Sequence, residues 1–253
     1  MVNVKSNTMI KKINSSSFVV LLLLFTACKK EELNDPKPIS TSINKILPLG
    51  ASRVEGGRPE YESYRFELWK DLKSQNIVFD FIGTQSDDTS YPDYNGSKFD
   101  IDHEGRGGWT SGEILSGLES WLSQTAAPDI VLLSSPGGND ALQQLSYSQA
   151  VSNINAIIDI LQSNNPKVTI IIEQMAPARS DAMTPELTLF LDQMQQEVLT
   201  IAANKSTTSS EILSVDMFTG FTDNHLADDV HYNESGAAFV AQRYFDILID
   251  VLE

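Results

Sequence analysis

Five short apolar runs, each followed by a longer stretch with helical spacing, restrict what this chain can become. The runs occupy residues 46–49, 77–82, 130–133, 168–172 and 212–215. They are apolar nearly throughout rather than alternating, which is the pattern of strands covered on both faces. The segments near 61–74, 111–123, 146–163, 186–203 and 235–252 repeat apolar side chains at helical intervals; in the first, Tyr64, Leu68 and Leu72 share one face. Strands alternating with helices build a parallel sheet with helices on both sides. The expected fold is a three-layer α/β/α sandwich around a five-stranded parallel sheet. At 253 residues the chain is long enough for one such domain and leaves little for a second. One connection breaks the rhythm. Residues 84–107 are polar and rich in Asp, Gly and Ser, and connections that long in compact domains are usually functional or disordered.

A different kind of segment precedes this domain. Lys5, Lys11 and Lys12 lead into an unbroken apolar run at 18–25. Such a run is too short to span a bilayer and suits a secretory signal, with Met1 or Met9 as its start. Phe25-Thr26-Ala27-Cys28 then places the only cysteine of the chain directly behind the run. This resembles a bacterial lipobox, with Phe25 where Leu is usual, and it implies that Cys28 is lipidated as the first mature residue. The other reading is a plain secretory signal with an incidental cysteine. Lys29-Lys30-Glu31-Glu32 either is a solvated tether or resembles a surface-export signal. Residues 29–42, polar and carrying Pro36 and Pro38, read as a linker. The expected organisation is a signal over 1–28, a linker over 29–42 and a domain over 43–253. The expected location is the periplasmic or cell-surface face of the outer membrane, with the membrane as partner through the lipid on Cys28.

Net charge is −16, and removing residues 1–28, which carry three Lys and no acid, leaves −19. A field of that sign repels phosphate backbones, so nucleic acid is not an expected partner. A single cysteine excludes an intrachain disulfide and a cysteine zinc site.

Three short segments each fall just past an expected strand or near the C-terminus, where open parallel sheets bind ligands. In the first, Gly50-Ala51-Ser52, a hydroxyl sits at the strand-to-loop turn. In the second, Gly137-Gly138-Asn139-Asp140, Asn139 offers a side-chain N–H. In the third, Asp228-Asp229-Val230-His231, the acid stands three residues before the histidine. It can turn back onto one ring nitrogen and leave the other as a base. Taken singly, each has a plain explanation: a turn serine, a cap or loop, a surface pair.

Their joint order resembles the GDSL/SGNH hydrolase family over nearly all of 43–253. The resemblance implies a flavodoxin-like SGNH hydrolase fold, an ester hydrolase activity and no cofactor or metal. It implies Ser52 as nucleophile and Asp228 and His231 as the rest of a catalytic triad. It implies an oxyanion hole from the N–H groups of Ser52 and Gly108, the latter in His103-Glu104-Gly105-Arg106-Gly107-Gly108-Trp109, and from the Asn139 side chain. The family usually reads Gly-Asp-Ser where this chain has Gly50-Ala51-Ser52, which raises the question of how the nucleophile loop is held.

The remaining candidates read as structural by default. Trp109 lines an acyl pocket or is part of the core. Arg65, His103 and His225 are expected at the surface, and the acids Asp87, Asp88, Asp93, Asp100, Asp102 and Glu104 are expected to be solvated, since their spacing fits no EF-hand loop. Residues 46–50 and 103–109 look most like the carbohydrate-esterase branch that includes acetylxylan esterases. Tyr91, Tyr94 and Phe99 are available to stack on sugars, and loop 84–107 offers no apolar groove for long acyl chains. The expected substrate is a short-chain ester, acetyl first, on a small molecule or polysaccharide. The alternatives are a lysophospholipase- or thioesterase-like acyl hydrolase of the same family, and a non-catalytic surface carbohydrate-binding lipoprotein.

Overall fold

The structure, a computed structural model, describes residues 37–252. The signal segment, Cys28 and most of the expected linker lie outside the described residues. The chain opens with β1 (Lys45–Gly50), α1 (Ser52–Glu55), α2 (Arg65–Ser74), β2 (Asp80–Phe81), β3 (Gln85–Ser86) and β4 (Asp102–Gly105). It continues through α3 (Ser111–Leu122), β5 (Ile130–Leu133), α4 (Gly138–Leu142), α5 (Tyr147–Asn164) and β6 (Thr169–Gln174). It closes with α6 (Pro185–Lys205), β7 (Ile212–Asp216), a 3₁₀ turn (Asp223–His225) and α7 (Glu234–Val251).

The sheet is parallel apart from one pair, with spatial order β3-β4-β1-β5-β6-β7 and β2 also paired to β1. It has seven strands rather than the expected five. The two additional strands come from residues 84–107, where β3 and β4 pair antiparallel. Sequence patterning missed them because Gln85-Ser86 and Asp102-His103-Glu104-Gly105 carry no apolar alternation.

One edge of β1 is shared. Lys45 and Ile46 pair with β2, and Leu49 and Gly50 pair with β4. The carbonyls of Ile46 and Gly50 accept from Ile82 and Arg106 on that side. Pro48 is in step with them, so its missing N–H falls at the handover between partners, where no ladder bond is lost.

Both faces of the sheet are covered. Leu47, Leu49, Val131, Leu133, Ile170 and Ile172 pack with α3, α5 and α6, while Ile46, Ile130, Leu132 and Ile171 pack with α2 and α7. Successive residues turn to opposite faces, so an uninterrupted apolar strand feeds two cores. The helices start where their caps dictate. Thr110 and Glu113 form a capping box at α3, Thr184 with Pro185 opens α6, and Asn233 caps α7. At the start of the described chain, Lys37 Nζ already binds Gln85 O and Asp102 Oδ1, each at 2.7 Å. That stretch of the expected linker is fastened to the domain.

Candidate active site

Three loops meet beyond the carboxyl ends of β1, β5 and β7. Ser52 opens α1 immediately after β1, and Gly50 allows the close approach. A Cβ there would lie 2.8 Å from Val54 Cγ2 and 3.0 Å from the Ser134 carbonyl.

His231 Nε2 lies 2.9 Å from Ser52 Oγ, and its Nδ1 lies 2.7 Å from Asp228 Oδ2. Asp228 Oδ1 accepts the N–H groups of Val230 and His231 at 2.8 and 2.7 Å, so one carboxyl shapes the turn and orients the ring. Burial alone would raise this carboxyl's pKa; the two N–H groups and the His231 ring outweigh it and hold it at about 2. With Nδ1–H donating to a carboxylate, Nε2 presents its lone pair to the serine hydroxyl. The Tyr61 ring stacks on the imidazole at 4.0 Å and 19°. Nothing in the sequence pattern singled Tyr61 out.

The expected oxyanion donors sit on neighbouring loops. Asn139, on α4, lines the same cavity as Ser52. Its Nδ2 donates to the Trp109 carbonyl at 2.8 Å, and an amide nitrogen has a second hydrogen to give. Gly108 has φ +78°, a conformation that favours glycine. Its carbonyl accepts from Gln143 Nε2 at 3.2 Å, and its N–H has no acceptor among the described residues. The Ser52 N–H is at the first position of α1, where no intrahelical acceptor exists. Asp140 fixes α4 from below, with its carboxyl accepting Ser111 N–H and Oγ–H at 2.8 and 2.7 Å.

Arg53, next to Ser52, answers how a loop with Ala51 is held. Its guanidinium donates to the carbonyls of Val230 (2.8 Å), Ala176 (2.8 Å) and Pro177 (3.1 Å) and lies 4.8 Å over the Tyr232 ring. One side chain therefore ties the serine turn to the histidine loop and to the exit of β6. Beneath the β5 loop, buried Glu173 accepts Ser135 N–H and Tyr244 O–H, each at 2.7 Å. Ser135 needs that anchor, because it is a non-glycine residue at φ +48°. Burial pushes the Glu173 carboxyl up.

Several residues expected at the surface are inside. Arg65 is fully buried, donating to Val54 O and Glu55 O at 2.7 and 2.8 Å and to Asp87 Oδ1 at 2.6 Å. It therefore holds the C-terminal end of α1. His103 is buried against Asp87 at 3.2 Å and accepts the Gly105 N–H on Nδ1. Burial and the Arg65 charge lower its pKa to about 4. Glu104 is buried too, bound to Thr84 and Arg106. His225, by contrast, stays half-exposed, its ring packed against Phe221 and Phe239 and accepting the Thr222 N–H. Tyr91, Tyr94 and Phe99 stack on Phe66, Trp69 and one another rather than forming a platform. Residues 84–107 thus draw Asp87, Glu104 and their aromatics inward, while Asp88 and Asp93 stay exposed as expected. Among the described residues no cluster of His, Cys, Asp or Glu is placed to hold a metal.

Comparison with known proteins settles the family. The family model of the GDSL-like lipase/acylhydrolases matches residues 78–239. The chain belongs to that family. Gly108, Asn139, Asp228 and His231 of this GDSL-like chain fall within the match, and Ser52 lies before it. No curated protein matches the chain. Among solved structures, it is similar to an acetyl esterase determined as a serine-to-alanine variant with acetate ion. The two share 25% identity over 82% of this chain and 97% of that one, with a TM-score of 0.70. A family 3 carbohydrate esterase from Talaromyces cellulolyticus matches at 25% identity, the same coverages and TM-score 0.68. One from Clostridium thermocellum matches at 28% identity over 83% and 98%, with TM-score 0.66. This GDSL-like protein is an ester-bond hydrolase with the α/β fold of SGNH hydrolases.

Proposed function

We propose that the chain hydrolyses short-chain acyl esters carried on carbohydrate, through a Ser52–His231–Asp228 triad. The observation that carries this reading is the unbroken hydrogen-bond chain Asp228–His231–Ser52, at 2.7 and 2.9 Å. In the first step His231 Nε2 takes the Ser52 proton as Oγ attacks the ester carbonyl, since a free serine hydroxyl is a weak nucleophile. Asp228, ionised down to about pH 2, stabilises the imidazolium. The developing oxyanion is held by the N–H groups of Ser52 and Gly108 and the free Asn139 N–H, each such donor contributing about 3 kcal/mol in the transition state. The imidazolium protonates the departing alcohol, and water then releases the acid with His231 again as base.

Carbohydrate as the alcohol rests on the similarity to the family 3 carbohydrate esterases. An ordered triad favours this over a binding-only lipoprotein. The lipid anchor on Cys28 belongs to the same proposal and rests on the sequence alone. The test is fluorophosphonate labelling together with acetate release from a panel of acetylated glycans. Labelling at Ser52 alone, with activity lost in Ser52→Ala, is the expected result. Labelling elsewhere or an active alanine variant refutes the triad, and release from simple esters but from no glycan refutes carbohydrate as the alcohol.

A further inference from the structure

A cavity opens beside Ser52 and runs into the layer between the sheet and α3, α5 and α6. Ser52 and Asn139 stand at its mouth. Its wall includes Trp109, Ile114, Ile154, Met175 and Leu191, of which all but half-buried Trp109 belong to the buried core. Apart from the free Asn139 N–H at the mouth and the buried Ser134 hydroxyl, which has no partner, the polar groups nearby are engaged within the protein. Ser111 and Asp140 bind each other, Arg53 binds carbonyls, and Ser135 binds Glu173. A group entering this space meets mainly hydrocarbon, with the Ser134 hydroxyl as the one unpartnered buried side-chain group.

The position of the cavity decides which half of an ester it receives. The departing alcohol must collect its proton from His231 Nε2, so it lies on the side of that ring. Neither His231 nor Tyr61, stacked on it, lines the cavity. The cavity lies on the side of Asn139 and Trp109, where the acyl carbon's substituent points. Its volume is about 70 Å³. The space is several times the ~10–15 Å³ that admits one enclosed water, so it takes a chain of a few carbons beyond the acyl carbonyl. An acetyl methyl fills only a fraction of it.

Resting on the esterase reading above, we propose that this cavity is the acyl-chain site and that it selects linear acyl groups of about four to six carbons over acetyl. Glycan acetates are then accepted but are not the best acyl donors, and butanoyl to hexanoyl esters are. The apolar space is supplied by the helices behind the sheet, not by residues 84–107.

The experiment measures kcat/KM on p-nitrophenyl esters from acetyl to decanoyl. It compares the wild type with Ile154→Phe, which fills the inner wall, and Leu187→Trp, which narrows it from the half-buried first turn of α6. The wild type is expected to gain up to about fourfold for each added methylene, the equivalent of ~0.8 kcal/mol, as far as about six carbons, and then to fall. Both variants should lower the hexanoyl-to-acetyl ratio at least about tenfold, whatever their acetyl rate. Ile154→Phe perturbs the core, so Leu187→Trp and the wild-type series stand as independent readouts. Acetyl as the best substrate, a rise that continues through decanoyl, or an unchanged ratio in a folded variant overturns the proposal. Absence of turnover at every chain length overturns the esterase reading and this inference with it. An acetyl optimum that still depends on Ser52 overturns this inference alone.

Discussion

Replacing Arg53 by methionine tests whether the loops that carry Ser52 and His231 are held as one unit. Arg53 is 9% exposed and donates to three carbonyls from two separate segments, Ala176 and Pro177 after β6 and Val230 beside His231. Methionine keeps much of the aliphatic stem and leaves those carbonyls without a donor. Each deprived buried acceptor costs ~1 kcal/mol, and loss of the cation over Tyr232 costs ~1 kcal/mol more. The expected loss is about 4 kcal/mol. For a domain of this size that lowers Tm by about 12 °C. Catalysis should suffer separately. With Val230 O released, His231 loses one of the constraints that keep it on Ser52, and a displacement of ~1 Å at a reacting pair costs up to ~100-fold. The assay is kcat and KM on an activated short-chain ester at a temperature where the variant is folded by circular dichroism, beside a thermal melt. Arg53→Lys retains the charge and reaches one carbonyl, so it should recover part of both losses. A methionine variant with wild-type kcat in its folded state refutes the positioning role, and one that melts within ~2 °C of wild type refutes the energetics.

Asn139→Ala should lower kcat by ~10²–10³ with a smaller change in KM, because the donor acts mainly in the transition state; a pure KM effect would make Asn139 a substrate-binding residue. His103 predicts an acid limit to stability. Its folded pKa is depressed from 6.5 to about 4 by burial and Arg65, so the stability it contributes is present above pH 6.5 and is lost as pH falls through about 4. The full swing is ~3 kcal/mol, and His103→Gln should flatten the Tm-against-pH curve across that window, whereas parallel curves would refute the assignment. Metabolic labelling with a fatty-acid analogue should mark the wild type and not Cys28→Ser, and an unlabelled wild type would restore a plain secretory signal.

Most of the architecture was legible because burial on both faces leaves a one-dimensional trace. The runs 130–133, 168–172 and 212–215 coincide within two residues with β5, β6 and β7, and each expected helix overlaps an observed one. Ser52 and Asn139 could be placed for the same reason, since period and punctuation mark where β1 and β5 stop, whereas Asp228 and His231 lie well past β7 and were picked out by their spacing and by the family resemblance. Within residues 84–107, Asp87, His103 and Glu104 were misread because their burial is achieved by pairing charge with charge. Arg65–Asp87–His103 and Glu104–Arg106 are polar in sequence and interior in space, and no local pattern distinguishes such a residue from a solvated one.

The linear chain by itself determined the layer order, the ends of the strands and the chemical types brought to one sheet edge. These depend on hydrophobic period and on turn chemistry, both properties of neighbours in sequence. Only the tertiary structure decided how the edge is held and what it admits. Arg53 reaches carbonyls more than a hundred positions away. Tyr61 covers a ring in a loop near the other end of the chain. The cavity beside Ser52 is walled by α3, α5 and α6 together. A cavity is a property of what packing leaves unfilled, and an anchor is a property of which distant carbonyl lies within reach. Neither is a function of any local stretch of sequence, so both are settled only when the helices close on the sheet.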